Sequence, residues 1–99
     1  MVSREVSIVN RSGLNLAPAG KLCQTAMRFK SDIYLLCGDR RILAKSVLNL
    51  MAAGIACGDR LTISCSGVDE DEALKVLCEA VRSGFGEEDV SESEGNETE

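Results

Sequence analysis

Asp32-Ile33-Tyr34-Leu35-Leu36-Cys37-Gly38-Asp39-Arg40-Arg41-Ile42-Leu43 reads as a β-hairpin. Asp32 to Cys37 forms one strand and Arg40 to Leu43 the returning one. Gly38-Asp39 is the turn between them, where glycine supplies the positive φ that tight hairpins require. The segments on either side of this hairpin carry the period of amphipathic helices. A single hairpin with such neighbours is best satisfied by an antiparallel sheet covered on one face. The expected class is therefore α+β.

On the N-terminal side, Val6 and Ile8 alternate with Ser7 and flank Val9, which predicts a first strand. Gly13-Leu14-Asn15 reads as a loop. Asn15 suits a helix N-cap, and Pro18 suits a first helical turn because its missing N–H has no partner there. From Leu16 to Arg28 the spacing is helical, with Ala19, Leu22, Cys23, Ala26 and Met27 on one side and Phe29 closing the face. On the C-terminal side, Ser46 caps a short helix from Val47 to Ala53 that stops at Gly54. After the Gly58-Asp59 turn, Leu61, Ile63 and Cys65 alternate with Thr62, Ser64 and Ser66, the period of a strand with one buried face. Asp69 and Glu72 have capping-box spacing. Ala73, Leu74, Leu77, Cys78 and Val81 form the stripe of a last helix, which Gly84 ends. The predicted order is β-α-β-β-α-β-α.

The 99 residues suffice for one small domain, and 44% hydrophobic content suits a folded chain. The net charge of −5 hides a division: residues 87–99 hold seven of the 16 acidic residues and no basic one. The preceding part is mildly basic. A domain over residues 1–86 and an acidic, disordered tail over residues 87–99 are expected. Aromatic content of 3% without a basic cluster gives nucleic acid no stacking platform. No apolar run is long enough to cross a bilayer. The N-terminal residues lack the layout of a secretory signal, so a cytoplasmic protein is expected. Five cysteines without a C-x-x-C pair, and no histidine at all, speak against a disulfide framework or a metal site. Cys23, Cys65 and Cys78 fall at apolar positions and read as core filling. No cofactor and no enzymatic activity are expected.

The segment Asn10-Arg11-Ser12-Gly13-Leu14-Asn15-Leu16-Ala17-Pro18-Ala19 resembles the active-site segment of the HPr family, the small phosphocarriers of the bacterial sugar phosphotransferase system. The similarity continues through Phe29-Lys30-Ser31-Asp32, through Ala44-Lys45-Ser46-Val47-Leu48 with Met51 and Gly54, and through Gly67 with Asp69-Glu70-Asp71-Glu72-Ala73-Leu74. It spans roughly residues 1–86. The resemblance implies an HPr-like open-faced β-sandwich with a four-stranded antiparallel sheet. It also places Asn15 where the family has its carrier histidine, and Ala17 where it has a phosphate-holding arginine. Leu16, Gly20, Lys21 and Asn49 are further departures from the usual residues.

A phosphocarrier needs a nucleophile that accepts phosphorus and later releases it. Neutral imidazole has an in-plane lone pair for this purpose. The nitrogen of the Asn15 carboxamide has its lone pair delocalised into the carbonyl, so Asn15 reads as a hydrogen-bonding cap. Ala17 cannot supply the planar, charged fork of an arginine. Ser12 would form a phosphoester too stable for relay. No catalytic residue is expected.

By resemblance, Ser46 matches the regulatory serine that HPr kinase/phosphorylase modifies, after which the protein serves as corepressor of a catabolite control transcription regulator. Val47, Leu48 and Met51 match docking residues, and Leu50 is the better core candidate. This is the logic of the catabolite repression HPr-like proteins, which lack the carrier histidine. The alternative is a divergent or altered phosphocarrier component that still docks with enzyme I.

Overall fold

The computed structural model describes residues 1–87 and residue 90. The elements are β1 (Val2–Ser7), α1 (Leu16–Ala26), β2 (Asp32–Cys37), β3 (Arg40–Leu43), α2 (Val47–Ala52), β4 (Arg60–Ser66) and α3 (Glu70–Arg82), followed by a 3-10 turn at Gly84–Gly86. The sheet runs β1-β4-β2-β3 with every pairing antiparallel. This is the predicted α+β class and the open-faced, HPr-like topology, with helices on one side of the sheet. Most of the 87–99 tail lies outside the described residues.

Strand alternation builds the covered face. Val6 stands opposite Leu61, Ile33 opposite Cys65, and Leu35 opposite both Ile63 and Ile42. All are buried, and they join one cluster with Leu22 and Ala26 of α1, Leu50 of α2 and the full α3 stripe from Ala73 to Val81. Removing this apolar surface from water is the main stabilising term. The other face is more polar. Tyr34 stands opposite Ser64 there, with the Arg41 guanidinium 4.5 Å above its ring.

Both hairpin strands and α3 lie where the periodicity put them. β1 begins earlier than its apolar alternation predicts. Its Ser3, Arg4 and Glu5 are exposed, and pairing with β4 carries them into the sheet. α1 ends sooner, at Ala26. Met27 is its C-cap and is 62% exposed. Cys23, one turn before Met27, is itself only half-buried, so this edge of the expected stripe faces water. Cys65 and Cys78 are core residues as expected. Burial pushes the Cys65 thiol up to about 11 and raises that of Cys78 as well.

The capping box expected at α3 is replaced by a longer-range tie. Asp69 makes no side-chain cap. Its carboxylate accepts from the Ser31 hydroxyl, from the Lys30 N–H at 2.8 Å and from the Ser31 N–H at 3.0 Å. Glu70, rather than Glu72, reaches back to the Gly67 N–H at 3.1 Å. The start of α3 is thereby fastened to the loop that feeds β2. The Ser31 hydroxyl, then the Lys30 N–H, hold the Asp69 carboxyl below the usual carboxylate range. The Gly67 N–H does the same for Glu70.

A lowered carboxyl pKa stabilises the fold above the unfolded value of about 4, and that contribution is lost as pH falls through the folded value. Asp69→Asn is therefore expected to lower the urea midpoint at neutral pH and to flatten the loss of stability below about pH 4. Urea titrations across the acid range check this. An unchanged midpoint and an unchanged acid limb would remove Asp69 from the account.

Candidate functional site

The loop before α1 is held from three directions. Asn10 is fully buried, and its Nδ2 donates to the Gly84 carbonyl at 3.0 Å. The Gly13 N–H donates to the Asn10 carbonyl at 2.9 Å, closing a turn. The Leu14 N–H donates to the Ile55 carbonyl at 2.9 Å, which ties the loop to the segment after α2. Glycine is required at position 13. Its φ is +76°, and a Cβ there would run into the Ile55 carbonyl.

This loop delivers Asn15 to the start of α1 with its side chain exposed. The Asn15 carbonyl accepts the first helical hydrogen bond, from the Ala19 N–H at 2.8 Å. The expected side-chain cap does not form. Nδ2 of Asn15 instead donates to the Ser12 hydroxyl oxygen at 2.9 Å. Pro18 helps explain the difference: it is the third helical residue and has no N–H, so the most common target of a capping oxygen is missing. Ala17 is exposed beside it. Asn10, Ser12, Asn15, Ala17, Pro18 and Glu87 line a shallow cleft of about 180 Å³.

The chemistry of this cleft is hydrogen bonding. Its amides and hydroxyl hold geometry, and the carboxylate that lines it, Glu87, is paired with the Lys21 ammonium. Among the described residues no group of side chains has the makeup of a metal site. Sequence reasoning missed one feature. The ammonium of Lys21, on α1, lies 2.8 Å from the Glu87 carboxylate and also donates to the Phe85 carbonyl at 3.3 Å. The partners are remote in sequence, so no local spacing announces the pair.

Ser46 is a true N-cap. Its backbone is extended, and its hydroxyl oxygen accepts from the Asn49 N–H at 3.3 Å. The side chain stays partly exposed, at the start of α2. Around it the residues divide as their spacing implied. Leu50 is fully buried, Val47 is half-buried against the core, Leu48 is 77% exposed and Met51 is 40% exposed. Lys45 is occupied, donating to the Phe29 carbonyl at 2.8 Å. α1 packs against α2, and Leu16, at the start of α1, is 66% exposed. Leu16, Leu48 and Met51 are thus large apolar side chains that these two helices leave in water.

The family model described as "PTS HPr component phosphorylation site" matches residues 2–83. The phosphocarrier protein HPr of Neisseria meningitidis is 33% identical over 87 residues, which cover 88% of this chain and 98% of that protein. The HPr-like protein Crh of Bacillus subtilis is 35% identical over 82 residues, covering 83% of this chain and 96% of Crh. The crystal structure of an HPr from Thermoanaerobacter tengcongensis superposes with a TM-score of 0.85 at 36% identity, over 89% of this chain and 99% of that one. The HPr relatives are named as phosphocarriers. With its sheet order, its Asn10–Ala19 loop and its Ser46 helix all in place, the chain belongs to the HPr family of the sugar phosphotransferase system.

Proposed function

We propose that this chain is a divergent component of the phosphoenolpyruvate-dependent sugar phosphotransferase system that acts by docking, without a phosphohistidine of its own. One juxtaposition carries the reading: exposed Leu16, Leu48 and Met51 on packed helices, beside a carrier position occupied by Asn15 in a chain with no histidine. Apolar side chains left in water favour a partner that covers them. Relatives named as phosphocarriers match nearly their whole length. Enzyme I is the proposed partner, and the proposed setting is the cytoplasm. No nucleic acid and no membrane enters the mechanism; no helix among the described residues is long and apolar enough to cross a bilayer.

A second reading rests on Ser46. The serine is partly exposed and caps α2, and Crh proteins are among the relatives. In this reading HPr kinase/phosphorylase transfers the γ-phosphoryl group of ATP to the Ser46 hydroxyl. The modified protein then binds a catabolite control transcription regulator through Val47, Leu48 and Met51. The added charge of about −2 is tolerated at a helix start, and it offers arginine or lysine of the partner a charge-assisted contact beside the apolar patch.

Titrating enzyme I into the 15N-labelled chain is expected to move the resonances of Leu16, Leu48 and Met51. Leu48→Asp is expected to weaken binding about tenfold or more, from the loss of one buried leucine. Saturating enzyme I without any shift contradicts the docking reading. Restoration separates docking from chemistry. Asn15→His alone is expected to recover little phosphotransfer, because Ala17 leaves the phosphate poorly held, and Asn15→His with Ala17→Arg to recover more. Full transfer from the single change would show that the missing guanidinium has been overvalued. For the second reading, HPr kinase/phosphorylase with ATP is expected to add one phosphate to the native chain and none to Ser46→Ala. Equal labelling of both, or none of either, contradicts it.

A further inference from the structure

One wall of the cleft beside Asn15 comes from the residues that follow α3. Glu87 comes directly after the Gly84–Gly86 turn and lines the cleft with Asn15 and Ala17. Its N–H donates to the Gly84 carbonyl at 3.0 Å, and its carboxylate meets the Lys21 ammonium at 2.8 Å. Lys21 also holds the Phe85 carbonyl, so one side chain secures both the turn and Glu87. Further along, Val90 forms an antiparallel bridge with Asn10. The Val90 side chain lies so close over Gly84 that a Cβ on that glycine would collide with it. Gly84 is also where the Asn10 carboxamide donates. Asn10, Gly84 and Val90 therefore form a second fastening next to the first.

Glu87 and Val90 lie beyond the part of the chain that the family model matches, which ends at residue 83. Charge favours their contacts. Residues 87–99 contain seven acidic residues and no basic one, whereas the part before them is mildly basic. Neither fastening is strong. The Lys21 side chain is 49% exposed, so its ion pair is screened by water and salt. Val90 is only partly buried. Two weak attachments give a contact that a competitor can displace.

We propose that Glu87, on Lys21, and Val90, on Asn10, form an intramolecular strap beside this cleft, and that an outside anionic group must displace the Glu87 carboxylate to pair with the Lys21 ammonium. The strap puts a carboxylate of the chain itself on the Lys21 ammonium of α1. It makes access to this face dependent on ionic strength and on competition from an acidic partner surface.

The test reads the availability of the Lys21 ammonium in the full-length chain. Acetic anhydride at limiting concentration is the probe, and peptide mass spectrometry compares Lys21 with Lys30, each normalised to its rate in the urea-unfolded chain. Lys21 in the native chain is expected to react about threefold more slowly than Lys30, the scale that a half-exposed ion pair supports. Added sodium chloride is expected to narrow that gap. Glu87→Gln and Val90→Asp should each raise the Lys21 rate and leave the Lys30 rate unchanged, and both should speed hydrogen exchange of the backbone amides in the 9–11 segment. Val90→Asp is informative because it adds negative charge while removing the apolar contact. The proposal is overturned if native Lys21 reacts as fast as Lys30 at low salt, a result independent of whether either variant folds. It is also overturned if neither variant changes the Lys21 rate or the exchange of the 9–11 amides.

Discussion

One face of a four-stranded sheet is kept dry, and the rest of the molecule is arranged around that requirement. Ile33, Leu35, Ile63 and Cys65 are fully or almost fully buried, and they cluster with Leu22, Leu50, Leu77 and Val81 from all three helices. Strand alternation leaves no freedom here, because a one-residue slip would turn the apolar set to water. The order β1-β4-β2-β3 is the result. The loops that start α1 and α2 are thereby set by a rigid body, with α1 packed on α2. Tight local constraints complete the placement: Gly13 against the Ile55 carbonyl, and the Asn10 amide on Gly84. The scaffold that presents an HPr-type site is intact.

The chemistry presented by this scaffold at the start of α1 is hydrogen bonding. Asn15 sits at the start of α1, but its amide is spent on Ser12. Ala17 is a bare methyl beside it. By the resemblance at positions 15 and 17, the loop geometry holds without the imidazole and guanidinium implied there. That is physically reasonable, because main-chain hydrogen bonds and glycine conformation hold the loop, and neither depends on an imidazole or a guanidinium. The apolar side chains Leu16, Leu48 and Met51 are likewise independent of that chemistry. On the proposed reading, docking and phosphotransfer are separable properties of this surface.

The parts that could be read from the sequence were those with local causes. The 32–43 hairpin, the α3 stripe and the Ser46 cap each arise from residues a few positions apart, and each stands as read. The division between buried Leu50 and exposed Leu48 on α2 also comes from helical spacing. The errors came from distant partners. Asp69 has the spacing of a cap, yet its carboxylate is taken by Lys30 and Ser31. The exception is local: Asn15 has the identity of a cap, yet Pro18 removes a target and Ser12, three residues before it, offers another. Lys21 and Glu87 meet only because the 3-10 turn returns the chain toward α1. A helix or strand announces itself by period; a single long-range hydrogen bond or ion pair has no period to read.

The central claim is that this member of the HPr family does not shuttle phosphorus, since a carboxamide lacks the lone pair that imidazole uses to take up and release a phosphoryl group. Intact-mass measurement after incubation with phosphoenolpyruvate and enzyme I, under alkaline conditions that preserve phosphohistidine, tests it most directly. The account predicts an unmodified native chain and a chain carrying one acid-labile phosphoryl group when histidine and arginine are placed together at positions 15 and 17. An acid-labile phosphoryl group on the native chain, passed onward to a sugar permease component, would contradict it.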